Sequence, residues 1–244
     1  MALNGFRFKQ FVVQHDQCAM KVGTDSILLG SWLEPGNATQ ILDIGTGSGL
    51  LAIMLAQKSN SAARITAIDI DENAVTQSRL NSKACPWPEK IDVIHTALQT
   101  LPQSKKFDLI VSNPPYFPAK EGPLLTSDPH FIENKRRLAR HTLELSHAEL
   151  LSCVENLLTD QGRCYFVLPE QVCADFLQLV DDSKLHINSL LLVHANREKG
   201  VMRRILCLSH TDQPKTQDTL YIHSSDGQYS KEYRTLCKDF YLNF

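Results

Sequence analysis

The segment Ile41-Leu42-Asp43-Ile44-Gly45-Thr46-Gly47-Ser48-Gly49-Leu50 constrains the fold more than any other. An apolar run ends in three glycines at alternate positions, and a second apolar run, Gly49 to Lys58, follows at once. The first run, Gln40 to Ile44, reads as a buried strand and the second as a helix. Glycine tolerates positive φ and lets the backbone come close to a ligand. The amides that open the helix then face the turn. The spacing is G-x-G-x-G, not the G-x-G-x-x-G of dinucleotide sites. Asp43, just before the turn, suits a ligand with an ammonium group better than a pyrophosphate. An ordinary tight turn has the same local pattern, so the reading needs support from the rest of the chain.

That support begins with the alternation of elements. Arg64 to Ile70 reads as a strand and Glu72 to Lys83 as a helix; Ile91 to His95 and Phe107 to Ser112 are strands. A long polar stretch, Ala119 to Arg140, precedes a helix at His147 to Leu158, a strand at Arg163 to Leu168 and a helix at Glu170 to Asp181. Strands at His186 to His194, Arg203 to His210 and Thr219 to His223 follow. Upstream of the glycines, Phe6 to Gln14 suits a strand or hairpin, and Thr24 to Leu33 a helix with Thr24 or Asp25 as N-cap. Strands alternating with helices predict βαβ crossovers and an α/β, Rossmann-like fold with a mostly parallel sheet. The strands without intervening helices predict an antiparallel C-terminal edge hairpin. Ligands of such sheets bind beyond the carboxyl ends of the strands, where the strand order reverses.

The 244 residues, 43% hydrophobic, suit a single domain over 1–244. No apolar run reaches the roughly 18 residues of a membrane span, and Met1 to Gln10 lacks a secretory core. The seven cysteines are scattered and form no C-x-x-C, which argues against a zinc site or a disulfide framework. A soluble cytoplasmic protein with free thiols and no metal is expected, with no membrane partner and no obligatory protein partner. A net charge of −2 argues against a protein that coats nucleic acid nonspecifically. Two local basic clusters remain: Lys135-Arg136-Arg137 with Arg140, and Arg197 and Lys199 with Arg203-Arg204. Runs of this kind are usually solvated surface.

Three further motifs lie at predicted strand ends or helix starts. Asp69 ends the strand Ile65-Thr66-Ala67-Ile68, about 20 residues past the glycine turn, where a carboxylate can accept both hydroxyls of a ribose. Its simpler role is to cap the next helix, as Asp71 can. Asn113-Pro114-Pro115-Tyr116 follows the strand Phe107-Asp108-Leu109-Ile110-Val111. The prolines fix φ and lack amide donors, while their carbonyls stay able to accept. The Asn113 side-chain oxygen and the Pro114 carbonyl can therefore take the two hydrogens of an amino group. Tyr116 offers a ring on which a planar base or amide can stack, worth roughly 1–3 kcal/mol per base. The simpler reading is a rigid Pro-Pro turn beside a core tyrosine. The third motif, Met20-Lys21-Val22-Gly23-Thr24-Asp25-Ser26-Ile27-Leu28-Leu29-Gly30, places polar residues at a loop-to-helix junction, which a capped helix alone explains.

Together the glycine turn, Asp69 and Asn113 to Tyr116 resemble the class I methyltransferases that use S-adenosylmethionine, and the N-P-P-Y tetrapeptide resembles their amino-methylating branch. Phe8-Lys9-Gln10-Phe11, His15-Asp16, Met20 to Asp25, Asn113 to Tyr116, Gln228-Tyr229-Ser230 and Phe240-Tyr241-Leu242 extend the likeness along the chain. In these the chain resembles the bacterial valine-tRNA adenine-N6 methyltransferase family, which modifies the adenine immediately 3′ of the anticodon. The resemblance implies that Gly45, Thr46 and Gly47 pass under the cofactor, that Asp43 neighbours its amino-acid part, and that Asp69 holds its ribose. It implies that Lys21, Gly23, Thr24 and Asp25 close over the methionine end, with residues 1–33 as an extension packed over the cofactor site. Related enzymes often carry an acidic residue after the third strand to read the cofactor adenine. This chain has His95-Thr96-Ala97-Leu98 there, which leaves the backbone near Ala97 and Leu98 for that contact. The resemblance also implies that Asn113, Pro114 and Tyr116 hold the target base, with Asn113 also beside the cofactor. Arg136, Arg137, Arg140, Arg203 and Arg204 are the candidates for contact with tRNA.

The chemistry implied is direct methyl transfer, with no covalent intermediate. The amino nitrogen is a poor nucleophile because its lone pair is delocalised, and hydrogen bonds to Asn113 and Pro114 favour a pyramidal nitrogen aimed at the methyl group. A base must be turned out of its loop at a cost of a few kcal/mol. Two rivals stand: a protein glutamine N5-methyltransferase using the same tetrapeptide on an amide, and a noncatalytic nucleotide-binding Rossmann-like module.

Overall fold

The apolar runs assemble into one eight-stranded sheet in the computed structural model, which describes residues 5–18, 21–114 and 145–244. Ahead of the sheet, β1 (Gly5–Arg7) and β2 (Val12–Gln14) form a small antiparallel hairpin. The sheet contains β3 (Gln40–Ile44), β4 (Arg64–Asp69), β5 (Ile91–His95), β6 (Phe107–Ser112), β7 (Leu158–Pro169), β8 (His186–His194), β9 (Val201–Ser209) and β10 (Thr216–Tyr221). Their order is β10-β8-β9-β7-β6-β3-β4-β5. Neighbours are parallel except where β9 runs against β7 and β8.

The expected antiparallel hairpin is β8–β9, but it sits one strand in from the edge. Residues 210–215 step past the start of β8, and β10 pairs outside it in the parallel sense, Thr216 beside Ser189. The sequence order turns back between β3 and β6: the chain runs β3, β4, β5 outward and then returns to lay β6 on the other side of β3. The crevice that such a reversal opens lies at the carboxyl ends of these strands.

Alternate residues along a strand point to opposite faces, and two cores result. Ile41, Leu109 and Val111 join one core with Ile27, Leu28 and Leu29 of α1 (Thr24–Trp32), much of α2 (Leu50–Lys58) and Val75 of α3 (Glu72–Ala84). Leu42, Ile44 and Ile110 join the other, covered by Leu150, Leu151, Val154 and Leu157 of α4 (His147–Leu157) and by Val172, Phe176 and Val180 of α5 (Glu170–Asp181). Burial on both faces explains why the central strands are apolar without alternation.

Two local features depart from the sequence expectations. The N-cap of α1 is Gly23, in an extended conformation, not Thr24 or Asp25. Asp25 lies in the first turn, where its carboxylate accepts from Arg203 Nε at 2.8 Å instead of from backbone amides. A further helix, α6 (Lys231–Cys237), follows β10; Ser230 caps it by accepting from Tyr233 N at 3.0 Å. Tyr233 and Cys237, four residues apart and so on one helix face, are buried in the first core.

The two ends of the chain meet. Lys9 N donates to Phe240 O at 2.8 Å, and Lys9 Nζ donates to Phe244 O at 2.8 Å. Phe8 bridges to Tyr241, and the rings of Phe6, Phe8, Phe11, Phe240 and Tyr241 pack together. The aromatic motifs near the two ends are thus one packing unit.

Candidate cofactor and acceptor site

The turn after β3 holds Gly45, Gly47 and Gly49 at φ of 68°, 55° and 82°. These are left-handed conformations that disfavour any residue with a Cβ. A Cβ on Gly49 would stand 2.6 Å from Ser78 Oγ, so that glycine lets α2 and α3 approach each other. Gly45 and Gly47 have nothing within 4 Å of an added Cβ. Their backbone therefore borders open space on the side where a ligand would lie.

Asp43 is fully buried at the mouth of this turn. Its Oδ2 accepts from Thr46 Oγ1 at 2.6 Å and from Ala52 N at 3.1 Å. Its Oδ1 is buried with no hydrogen-bond partner. Burial is the largest influence on its carboxyl and pushes the pKa up to about 7, against the two hydrogen bonds, with the neighbouring Asp69 adding to the rise. A buried carboxylate with an unsatisfied oxygen is what a cationic ligand group would relieve. The orphaned oxygen and the open glycine backbone together fit a ligand with an ammonium-bearing end. Thr46, expected beneath the cofactor, also holds Asp43 in place.

Asp69 ends β4 and is 8% exposed. It accepts from Gly47 N at 2.8 Å and from Asp71 N at 3.0 Å, so its carboxylate is fixed against the glycine turn. The helix cap is Asp71, which accepts from Asn73 N and Ala74 N. The alternative role weighed for Asp69 therefore belongs to its neighbour. At the end of β5, Thr96 N donates to Asp69 O at 3.0 Å, and Ala97 is the N-cap of a short 3-10 turn, Leu98–Thr100. Ala97 and Leu98 thus stand beside Asp69, although the Ala97 carbonyl already accepts from Thr100.

The acceptor motif opens at the end of β6. Ser112 Oγ donates to Ile44 O at 3.0 Å, tying the residue before Asn113 to the residue before Gly45. Asn113 is half-buried and its Nδ2 donates to Ser26 Oγ of α1 at 2.9 Å; Pro114 is buried. Tyr116, Arg136, Arg137 and Arg140 lie outside the described residues. Gly23 and Thr24 are exposed at the start of α1, with Lys21 two residues before Gly23 and also exposed, and Ser26 brings that end of the helix to Asn113.

Arg203 and Arg204, expected as part of one basic cluster, are divided by the pleat of β9. Arg203 meets Asp25 of α1 on one face. Arg204 meets both carboxylate oxygens of Glu170 of α5 on the other, at 2.7 Å each. That bidentate pair raises the guanidinium pKa.

Asn81 of α3 carries no signal in the sequence, yet it links three parts of the site. It is 3% exposed. Its Nδ2 donates to Gln14 O at 2.7 Å and Ser48 O at 2.8 Å, and its Oδ1 accepts from Gln14 N at 3.0 Å. Through it the N-terminal hairpin is fastened to the glycine turn. Ser26 and Ser112 likewise carry no sign of their partners, which are 87 and 68 residues away along the chain.

The model of the methyltransferase small domain matches residues 17–141. Among solved structures, a predicted O-methyltransferase from Agrobacterium tumefaciens superposes with a TM-score of 0.67 at 14% identity, over 88% of this chain and 96% of that one. A ribosomal protein L11 methylase from Lactobacillus delbrueckii gives 0.51 at 19% identity, over 77% of each chain. These likenesses establish the class I methyltransferase fold. The chain is 43% identical to the tRNA1(Val) (adenine(37)-N6)-methyltransferase of Pseudoalteromonas atlantica, with 100% of both chains covered. It is 44% identical to the protein of that name from Aeromonas hydrophila, over 98% of each. At that identity over that length, the chain belongs to the tRNA1(Val) (adenine(37)-N6)-methyltransferase family.

Proposed function

We propose that this methyltransferase transfers a methyl group from S-adenosylmethionine to N6 of the adenine immediately 3′ of the anticodon in valine tRNA. The observation that carries the reading is the Ser112–Ile44 hydrogen bond, which sets Asn113 beside the glycine turn. Methyl donor and amino acceptor are thereby addressed by adjacent strands. Asn113-Pro-Pro-Tyr116 suits either planar acceptor, and the relatives' substrate favours an adenine over a glutamine amide.

S-Adenosylmethionine, when bound, supplies an electrophilic methyl group on a sulfonium centre. Asp43 and the backbone of Gly45, Thr46 and Gly47 are assigned to its amino-acid end, Asp69 to its ribose, and the backbone at Ala97 and Leu98 to its adenine. Residues 1–33 cover the site, a role supported by the Gln14–Asn81–Ser48 link and the Ser26–Asn113 bond. Lys21, Gly23 and Thr24 border the methionine end, and Asp25 acts there through Arg203.

Asn113 Oδ1 and the Pro114 carbonyl accept the two amino hydrogens of the target base. The nitrogen would then pyramidalise with its lone pair towards the methyl group, and on transfer the thioether would leave and one amino proton pass to solvent, while Tyr116 stacks on the base. Holding the two reactants in line supplies roughly 7–11 kcal/mol. Arg136, Arg137 and Arg140 are assigned to RNA phosphates. Arg203 and Arg204, held by Asp25 and Glu170, are assigned to bracing the site. A cytoplasmic location suits the seven free cysteines; among the described residues no helix is long and apolar enough to cross a membrane.

Nucleoside mass spectrometry of tRNA from a strain lacking the protein tests the reading. N6-methyladenosine should vanish from valine tRNA and return with the wild-type protein but not with Asn113→Ala. Retention of the modified nucleoside in the deletion strain would refute it.

A further inference from the structure

A second feature lies on the same edge of the sheet as Asn113. β6, β7, β8 and β10 all run in one direction. The carboxyl ends of β8 and β10 therefore face the same way as the ends of β3 and β6. There His194 and Tyr221 are paired in register, with rings 5.1 Å apart. The Arg197 guanidinium lies 4.8 Å above the Tyr221 ring. Beside them His223 stacks on Tyr229, at 5.2 Å and an interplanar angle of 20°. Tyr229 is 43% exposed although it also packs against Tyr233 and Phe244.

We propose that these groups form a stacking platform for loop nucleotides of the RNA substrate, several residues along the strand from the target adenine. This rests on the reading of the chain as an RNA methyltransferase. Unpaired bases are recognised by stacking on aromatic rings and on guanidinium planes. This surface interleaves both.

The platform is built before any ligand arrives. Asn196 Oδ1 accepts from Glu198 N and Lys199 N, which shapes the loop that carries Arg197. His194 Nδ1 is 2.9 Å from Lys199 O and His223 Nδ1 is 3.2 Å from Ala195 O. The turn before Tyr229 is held by Gln228 N donating to Asp226 Oδ1 at 3.0 Å and Ser224 N donating to Gln228 O at 2.9 Å. Groups held in this way lose little freedom when a base lands on them.

Distance sets which bases. β8 and β10 lie three and four strands from β6, or roughly 15–20 Å at about 4.8 Å per strand. At about 3.4 Å per stacked nucleotide, the platform reaches bases roughly four to six positions from the adenine. These are bases on the far side of the loop or at its junction with the stem.

The test uses the full-length protein and a synthetic anticodon stem-loop RNA. Tyr229→Ala should weaken binding about tenfold, given roughly 1–3 kcal/mol per stacked base, and expose bases four to six positions from the adenine to chemical probing. Tyr229→Phe should keep wild-type affinity, because stacking needs the ring and not the hydroxyl. Arg197→Ala, at an exposed position, should weaken binding and flatten its salt dependence. S-adenosylhomocysteine affinity should stay constant throughout, which separates lost stacking from lost folding. If the wild-type protein methylates this RNA and both Tyr229→Ala and Arg197→Ala bind as tightly as wild type, the platform is refuted and the methyltransferase reading stands. If the wild-type protein neither binds nor methylates RNA, both fall together.

Discussion

Replacing Asp43 by asparagine should change stability in a pH-dependent way that can be worked out in advance. In the native state burial holds the Asp43 carboxyl near 7, against an ordinary value of 3.8. Between about pH 4 and 7 the folded chain keeps a proton that the unfolded chain has released. Stability therefore falls as pH rises through that window and levels off above it. At 1.36 kcal/mol per unit, the loss is about 1.7 kcal/mol at pH 5 and about 4 kcal/mol at pH 8. The substituted amide does not titrate. Its carbonyl oxygen can replace Oδ2 as acceptor for Thr46 and Ala52, while its amino group takes the orphaned Oδ1 position at a cost of roughly 1–3 kcal/mol. That cost is the same at both pH values and cancels. Urea denaturation at pH 5 and pH 8 should show Asp43→Asn gaining about 2–3 kcal/mol on the wild type between the two. In parallel, wild-type affinity for S-adenosylhomocysteine should rise from pH 5 to 7, and the variant's should be weak and flat. A stability difference that does not change with pH would refute the reasoning, because Asp43 would then titrate like an exposed carboxyl.

Three further outcomes are expected. Asp69→Ala should weaken S-adenosylmethionine binding by roughly 1.5–3 kcal/mol, as two ribose hydroxyls lose a charged acceptor; calorimetry showing unchanged affinity would leave Asp69 the task of holding Gly47 N and Asp71 N. Asn81→Leu, which removes three hydrogen bonds, should destabilise the fold by roughly 2–4 kcal/mol and make residues 5–14 exchange amide hydrogens well before global unfolding. Asp25→Ala and Arg203→Ala should be coupled by about 1 kcal/mol or more in a double-mutant cycle, since they share a partly buried ion pair; additive effects would show that the pair does not brace α1.

Local chemistry was readable wherever cause and effect are neighbours in the chain. The apolar run into three alternate glycines dictates a strand, a turn with positive φ and a helix start, and Gly45, Gly47 and Gly49 adopt that geometry. Asp69 and Asn113 could be placed because one ends a strand and the other directly follows one. Long-range partners left no such trace. Nothing around Asn81 announces that its amide will reach Gln14 and Ser48, and the pairing of Asp25 with Arg203 depends on β9 being laid beside α1. For the same reason Asp25 misled as a helix cap. The division of Arg203 from Arg204 was within reach, since adjacent residues on a strand face opposite sides. So was α6, where Ser230 precedes apolar positions at helical spacing.

The most direct test of the account is transfer of an isotopically labelled methyl group from S-adenosylmethionine to purified, unmodified valine tRNA. The wild-type protein should label the adenine 3′ of the anticodon at N6. It should leave unlabelled a transcript with guanine at that position, and Asn113→Ala should label neither while still binding the cofactor. Equal labelling of both transcripts, or label that enters a protein glutamine instead of the RNA, would contradict it.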